Sequence, residues 1–227
     1  MEVFRRLLPG PLEERFTAAD LAAAVPAEPP ADRPFVLLNM IASADGRATI
    51  EGRTAPLANR ADYELFHALR ERADAVMVGA ETVRVEGYGP MAQLAVVVSR
   101  TVELPVDRGL LSHAGNRVVI VTPSPDRELP PCAATVSYIR EGDLSLALRR
   151  LRGLGVALID CEGGPGLNAT LVPARLVDEL HLVIAPKLAG GADPTTTVTG
   201  AALDPPAGLR LLSLHESGDY LFLRYGA

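Results

Sequence analysis

The 227 residues contain no tryptophan, only 4% aromatic side chains and two cysteines, Cys132 and Cys161. With so few rings the core must be aliphatic, and stacking platforms for single-stranded nucleic acid are hard to build. Two cysteines give neither a disulfide framework nor a metal-ligand spacing, and both read as free thiols in a reducing compartment. No basic excess is present. Lys and Arg number 22 against 28 Asp and Glu, for a net charge of −6, which disfavours nucleic acid and anionic membranes as partners. No apolar run reaches the ~20 residues needed to span a bilayer. The first ten residues lack the apolar stretch of a signal peptide, so the expected location is cytoplasmic.

What is present is a sizeable apolar fraction, 48%, arranged in short blocks. Phe35–Ile41, Ala75–Gly79, Leu94–Arg100, Arg117–Thr122 and Val156–Ile159 are built on near-continuous aliphatic runs, the pattern of strands buried on both faces. Between them lie segments with helical spacing. One starts at Asn59 and runs through Arg72 with Leu65 and Leu69 on one stripe; another covers Leu144 to Leu154. Thr135 to Ile139 is a further strand candidate. Leu176 to Pro186 reads as a helix-to-strand passage. The segments Leu209–Glu216 and Tyr220–Tyr225 flank Ser217-Gly218-Asp219 as in an antiparallel hairpin. Residues 1–33 are rich in Pro and Ala and read either as an arm, with a short helix capped by Thr17, that lies on the domain or on a partner subunit, or as a disordered lead; residues 34–227 read as one domain. Alternation of strand and helix predicts an α/β fold with a central, mostly parallel, mixed sheet and an antiparallel C-terminal hairpin.

The chemistry concentrates where strands end. Ala157-Leu158-Ile159-Asp160-Cys161-Glu162 runs into Gly163-Gly164-Pro165-Gly166 and then Leu167-Asn168, a strand, glycine turn and helix opening that can offer backbone N–H groups to a phosphate. The blander alternative is a tight turn with no ligand. Gly79 with Ala80, Ser99 with Arg100, and Thr122 close three other strands. In an open parallel sheet the ligand crevice lies beyond the carboxyl ends of the strands, so these positions could hold an extended dinucleotide. The Gly-x-Gly-x-x-Gly fingerprint is missing. Hydroxyls and cations at Thr82, Arg84, Ser99 and Arg100 favour NADP over NAD. His67, His113, His181 and His215 are scattered, without ligand or triad partners. Asp45 before Gly46 reads as a turn carboxylate. No metal site is expected.

Several motifs in order resemble a known family: Asn39-Met40-Ile41-Ala42-Ser43-Ala44-Asp45-Gly46-Arg47, Arg70 to Arg84, Glu162-Gly163-Gly164-Pro165, and Val177-Asp178-Glu179-Leu180 with Ala185-Pro186-Lys187 and Gly190-Gly191. Together they are similar to the reductase domain of riboflavin biosynthesis. That resemblance implies a three-layer sandwich of the dihydrofolate reductase type, a homodimer, and reduction of 5-amino-6-(5-phosphoribosylamino)uracil by NADPH at the sugar C1′. It places Ile41 and Ala42 at the nicotinamide, Gly79, Ala80 and Thr82 along the middle of the cofactor, Ser99 at the adenosine ribose phosphate, and Gly163 to Asn168 around the diphosphate. It turns Thr54 and Glu162 toward the substrate. Lys187 reads either as a contact to the substrate phosphate or as a solvated loop lysine.

Glu86 stands where the family has an Asp and is the expected proton donor; a solvated loop carboxylate is the plainer alternative. The chain departs from the family pattern in Glu86-Gly87-Tyr88-Gly89-Pro90, which lacks the Asn-Pro or Asp-Pro pair and the Arg that follows it. It also shows no His-x-Glu or Pro-Cys-x-x-Cys of a zinc deaminase. Two rival readings remain at this level: a reductase of the same fold acting on dihydrofolate or another heterocycle, and a non-catalytic NADP-binding module. Placement of Gly163 in the cradle predicts that Gly163→Val weakens NADPH binding about tenfold or more.

Overall fold

A computed structural model describes residues 1–8, 14–26, 28–191 and 195–227. In chain order the elements are β1 (Phe4–Leu8), β2 (Arg15–Phe16), α1 (Ala18–Ala23), β3 (Phe35–Ser43), α2 (Arg60–Arg72), β4 (Ala75–Gly79), α3 (Ala80–Glu86), β5 (Leu94–Val98), β6 (Arg117–Val121), β7 (Thr135–Ile139), α4 (Leu144–Gly153), β8 (Leu158–Gly163), α5 (Pro165–Leu171), β9 (Glu179–Ala185), β10 (Arg210–Ser217) and β11 (Tyr220–Gly226). They build one sheet in the order β2-β1-β10-β11-β9-β3-β8-β4-β5-β6-β7. From β9 to β7 every neighbouring pair is parallel, and from β9 outward through β11, β10, β1 and β2 every pair is antiparallel.

Strand side chains alternate between two buried layers, as a period of two requires. Val36, Leu38, Met77, Val96, Val119, Ile159 and Cys161 pack on one side with Leu148 and Leu151 of α4 and Leu167 and Leu171 of α5. On the other side Leu37 and Leu158 meet Leu65 and Leu69 of α2 and Leu21 of α1. Val76, Val78, Val97 and Ile120 meet Ala80 and Val83 of α3 on that same side. The result is the expected three layers. The helices start where the sequence offers caps: the Asn59 side chain accepts from the Asp62 N–H, and Thr17 and Asp20 form a capping box.

One segment differs from the sequence reading. Leu176–Asp178 is not helical; the chain turns directly into β9, because Asp178 accepts from both guanidinium nitrogens of Arg33 at 2.6 and 2.8 Å and from the Val36 N–H at 2.8 Å. The N-terminal arm lies on the domain and adds strands to its sheet: β1 pairs with β10, and Phe4, fully buried, meets Phe222 edge-to-face with centroids 4.8 Å apart. Both features come from partners far away in sequence, which local propensity cannot register.

Candidate active site

A cleft of about 990 Å³ opens at the carboxyl ends of the parallel strands. Its floor is Gly79, Val98 and Val121, the last residues of β4, β5 and β6. Its walls are the first turns of α3 and α5, with Ala80, Thr82, Gly164, Pro165, Gly166 and Leu167, and the turn Ser99–Thr101. Thr49 and Gly52, in the loop after β3, close over it.

The glycine turn works in two ways. Gly164 has φ +91°, and a Cβ there would stand 2.6 Å from the Thr82 hydroxyl, so glycine is what lets α5 approach α3. Gly166 has nothing within 4 Å of its would-be Cβ; its bare Cα faces open cleft. In the first turn of α5, Pro165 has no N–H and the Leu167 and Asn168 N–H groups donate to the Gly164 carbonyl at 2.9 and 3.0 Å, which leaves the Gly166 N–H to meet a ligand.

Of the residues anticipated for the cofactor, Gly79, Ala80, Thr82, Arg84, Ser99, Arg100, Gly164, Pro165, Gly166 and Leu167 line the cleft, and the candidate acid Glu86 lines it with them. Arg84 is engaged by Glu81 and by the Glu103 carbonyl, whereas Arg100 is exposed at the rim beside Ser99. Ser99 is buried and its hydroxyl accepts from the Val102 N–H, which shapes the turn. Glu86 accepts from the Thr54 N–H and hydroxyl, both at 3.0 Å and both on Oε1, leaving Oε2 for the cleft.

The others take internal posts. Ile41 and Ala42 sit in β3, Ile41 packed against the α2 layer and Ala42 buried. Thr122 is fully buried and its hydroxyl accepts from the Ser124 N–H, capping the turn after β6. Gly163 faces inward with φ +75°, its would-be Cβ 2.8 Å from Met40 Sδ and 3.0 Å from the Asn168 amide. Asn168, also buried, donates to the Thr197 carbonyl at 2.6 Å and so pins the loop above α5. Lys187 donates to the Pro56 and Leu57 carbonyls, fastening the loop after β3 rather than presenting a free cation. Thr54 is committed to Glu86. Asp45 accepts from the Ser43 hydroxyl and from the Ala189 and Gly190 N–H groups, which hold its carboxyl far below the usual range.

Glu162 stands at the end of β8 on the α2 side of the sheet and is held by Arg70 in a two-pronged pair, Nε to Oε1 at 2.8 Å and Nη2 to Oε2 at 2.9 Å. Tyr88 lies over the same guanidinium, 5.6 Å from its centroid, and its hydroxyl faces Glu162. Burial, with Glu162 adding to it, pushes the Tyr88 hydroxyl well above its ordinary pKa. Two residues back, Asp160 is fully buried and neither carboxyl oxygen has a hydrogen-bond partner. Burial, reinforced by Glu162, drives its pKa well up. Period-two spacing already puts Asp160 and Glu162 on one face; the missed signal was Arg70 on the inner side of the helix opposite. Also missed were Thr101, Thr170, Thr195 and Thr199, which add hydroxyls to the cleft. Among the described residues no group of His, Cys, Asp and Glu could hold a metal ion, and no helix is long and apolar enough to cross a membrane.

Comparison with known proteins gives a consistent result. The family model described as the RibD C-terminal domain matches residues 34–222. A protein of Methanothermobacter thermautotrophicus named 2,5-diamino-6-ribosylamino-4(3H)-pyrimidinone 5′-phosphate reductase is 33% identical over 211 residues, covering 85% of this chain and 98% of its own length. A pyrimidine reductase-like protein of Corynebacterium diphtheriae superposes with a TM-score of 0.73 at 22% identity, covering 93% of this chain and 98% of that one. The yeast riboflavin biosynthesis reductase Rib7 superposes at 0.69 with 17% identity, covering 87% and 91%. The two solved structures show a shared fold.

Proposed function

The chain belongs to the RibD C-terminal domain family, and from that premise we propose that it reduces the phosphoribosylamino-pyrimidine of riboflavin biosynthesis at the sugar C1′, with NADPH as the reductant. Enzymes of this family are oxidoreductases that use a nicotinamide cofactor. The observation that carries the reading is the cleft itself: strand ends, a glycine turn with one open Cα, and hydroxyls lie along one sheet edge, on the scale of an extended dinucleotide.

The residues fit that group. Gly166 leaves room for a diphosphate to approach the first turn of α5; Ser99, Arg100 and Thr101 supply the hydroxyl and cation that favour a 2′-phosphate over a bare ribose. When bound, the reduced nicotinamide supplies a hydride. The sugar C1′–O4′ bond breaks, the hydride ends on C1′, and O4′ takes one proton. Glu86 is placed to hold that proton: Thr54 fixes Oε1, and Oε2 is left to face the substrate. Glu162, paired with Arg70 on the α2 side of β8, is not on the lining of the cleft.

One observation favours a second reading of the pyrimidine ring. The archaeal relative that this chain covers almost end to end is named for the 2,5-diamino-pyrimidinone, whereas the uracil form is the one that the motif resemblance implies. Incubation with NADPH and each of the two compounds separates them. Loss of NADPH absorbance with either one supports the reductase; loss with dihydrofolate alone, or with none, overturns it.

The reading extends to a homodimer. On the side of the sheet away from α2, Leu182 and Ile184 of β9 lie beside Leu223 and Leu221 of β11, half-buried or exposed, a continuous apolar face at the antiparallel end. Sedimentation of the wild type as a dimer and of Leu223→Lys as a monomer supports this assembly; a monomeric wild type at micromolar concentration refutes it.

A further inference from the structure

A second cavity, of about 250 Å³, lies at the antiparallel end of the sheet, between β9, β10 and β11 below and the N-terminal elements β1, β2 and α1 above. It shares no lining residue with the cleft. Strand register makes its floor a small lattice. Arg6 pairs with His215, His215 with Phe222, and Phe222 with Val183; one step along, Ser213 pairs with Arg224 and Arg224 with His181. Within each row neighbours stand about 5 Å apart.

Three facts single this floor out. His181, 5% exposed, keeps Nε2 without a hydrogen-bond partner; the nearest acid, Glu179, is 3.6 Å away and already taken by Arg224 in a two-pronged pair. The Arg6 Nε–H is buried and also unpaired. The one acid on the lining, Asp20, is spent on the Thr17 N–H and hydroxyl. Both arginines on the lining are paired with acids that lie outside it, Arg6 with Glu14 and Arg224 with Glu179, so what the cavity keeps open is the unpaired Arg6 Nε–H and the His181 Nε2. Burial first, then Arg6, His181 and Arg224, push the His215 pKa down to about 4. The remaining walls are apolar, with Phe16 edge-on to His215 at 5.3 Å, and Leu21, Leu65 and Phe222. Buried donors without acceptors cost free energy unless something meets them.

We propose that this cavity is a second ligand site that takes a small organic acid, its carboxylate received at the Arg6, His215 and His181 end and its apolar body held by Phe16, Leu65 and Phe222. The size suits it: an apolar cavity of ~150 Å³ is enough for a benzene ring, and this one has room for a carboxylate besides. The site stands on geometry separate from the cleft, so it does not depend on the identity of the reductase substrate.

Benzoate is the probe, titrated calorimetrically into the full chain with and without saturating NADPH. The expected result is binding in the low-millimolar range or tighter, unaffected by NADPH, and weakened about tenfold or more by Arg6→Met and by exchanging benzoate for benzyl alcohol. Absence of heat at about 20 mM benzoate overturns the proposal, as does competition with NADPH, which would put benzoate in the cleft. Equal affinity for inorganic phosphate overturns the organic-acid assignment, since the apolar walls would then contribute nothing. Should Arg6→Met fail to fold, Ala24→Trp at the exposed rim supplies the chain's only tryptophan. A change in its emission on adding benzoate to that variant, saturable and absent with benzyl alcohol, supports the site, and no change overturns it.

Discussion

Gly166 offers the cleanest test of where the cofactor's diphosphate lies. A Cβ at this position meets nothing within 4 Å, and its φ is not in the left-handed region, so a side chain can be added without strain. Gly166→Ala is therefore expected to leave NADPH affinity within about twofold and to stabilise the start of α5 by up to ~1 kcal/mol, since Ala is the better helix former. Gly166→Glu adds a carboxylate to the same place. At ~6 Å from one phosphate charge, with an effective dielectric of ~20, repulsion is about 3 kcal/mol. Partial screening and side-chain escape reduce that to about 2 kcal/mol, or roughly 30-fold in Kd. The assay is NADPH fluorescence titration alongside a thermal melt. Raising salt to 1 M, where the Debye length falls to ~3 Å, is expected to remove most of the difference. If Gly166→Glu binds NADPH like the wild type while its melting temperature is unchanged, the diphosphate is not at this turn. Gly163→Val cannot make this distinction. Its side chain runs into Met40 and Asn168 at a φ of +75°, so it is expected to cost the fold several kcal/mol, read as a lost or lowered melting transition, before it touches the cofactor.

Three further outcomes follow from particular contacts. Glu86→Gln keeps an oxygen for the Thr54 N–H but cannot hold the transferred proton; kcat is expected to fall about 100-fold with NADPH Kd unchanged, and an unchanged kcat removes Glu86 from the chemistry. Asp178→Ala unpairs Arg33 and the Val36 N–H at once and is expected to cost about 2–4 kcal/mol in urea unfolding; a cost below ~1 kcal/mol refutes the clamp. Burial raises Asp62 to about 6 from 3.8. The folded state therefore takes up this proton first, and the group's contribution to stability is lost as pH rises from about 4 through about 6. Asp62→Asn is expected to gain about 2 kcal/mol at pH 8 and nothing below about pH 4, and a gain that does not change with pH refutes the assignment.

The middle of the molecule was readable because its signals are local. Near-continuous aliphatic runs became β3 to β6 and β8, and Asn59 and Thr17 capped the helices they announced. The glycine turn and the hydroxyls at strand ends pointed to the edge of the sheet where the cleft opens, because parallel strands gather their carboxyl ends there. What stayed hidden depends on pairing across long stretches of chain. Nothing near Phe4 announces that it will lie against Phe222, and nothing near Lys187 shows that the Pro56 and Leu57 carbonyls will take its ammonium. Gly163 and Gly164 look equivalent in sequence, yet successive residues leave a strand toward opposite faces. One glycine therefore admits Met40 and Asn168, and the other admits Thr82.

The same alternation shows what Tyr88, in the loop from Glu86 to Pro90, is packed against. Register sets Asn39 opposite His181 and, through β8, Asp160 and Glu162 on the α2 face, so a ribbon of polar side chains crosses the buried side of an otherwise aliphatic sheet. Such a ribbon is stable only if its charges are matched. It contains two carboxyls at its β8 end and one cation, Arg70. Burial and the neighbouring Glu162 push the Asp160 pKa well up, which disfavours a second charge there, and Glu162 is paired with Arg70. Arg70 is in turn sandwiched by Phe66 at 4.5 Å and Tyr88 at 5.6 Å. Tyr88 thus covers the residue that holds Glu162. Tyr88→Ala is accordingly expected to loosen the Arg70–Glu162 pair and to raise KM for the pyrimidine while NADPH affinity is kept. A variant with unchanged KM would show that the aromatic lid over Arg70 has no part in substrate binding.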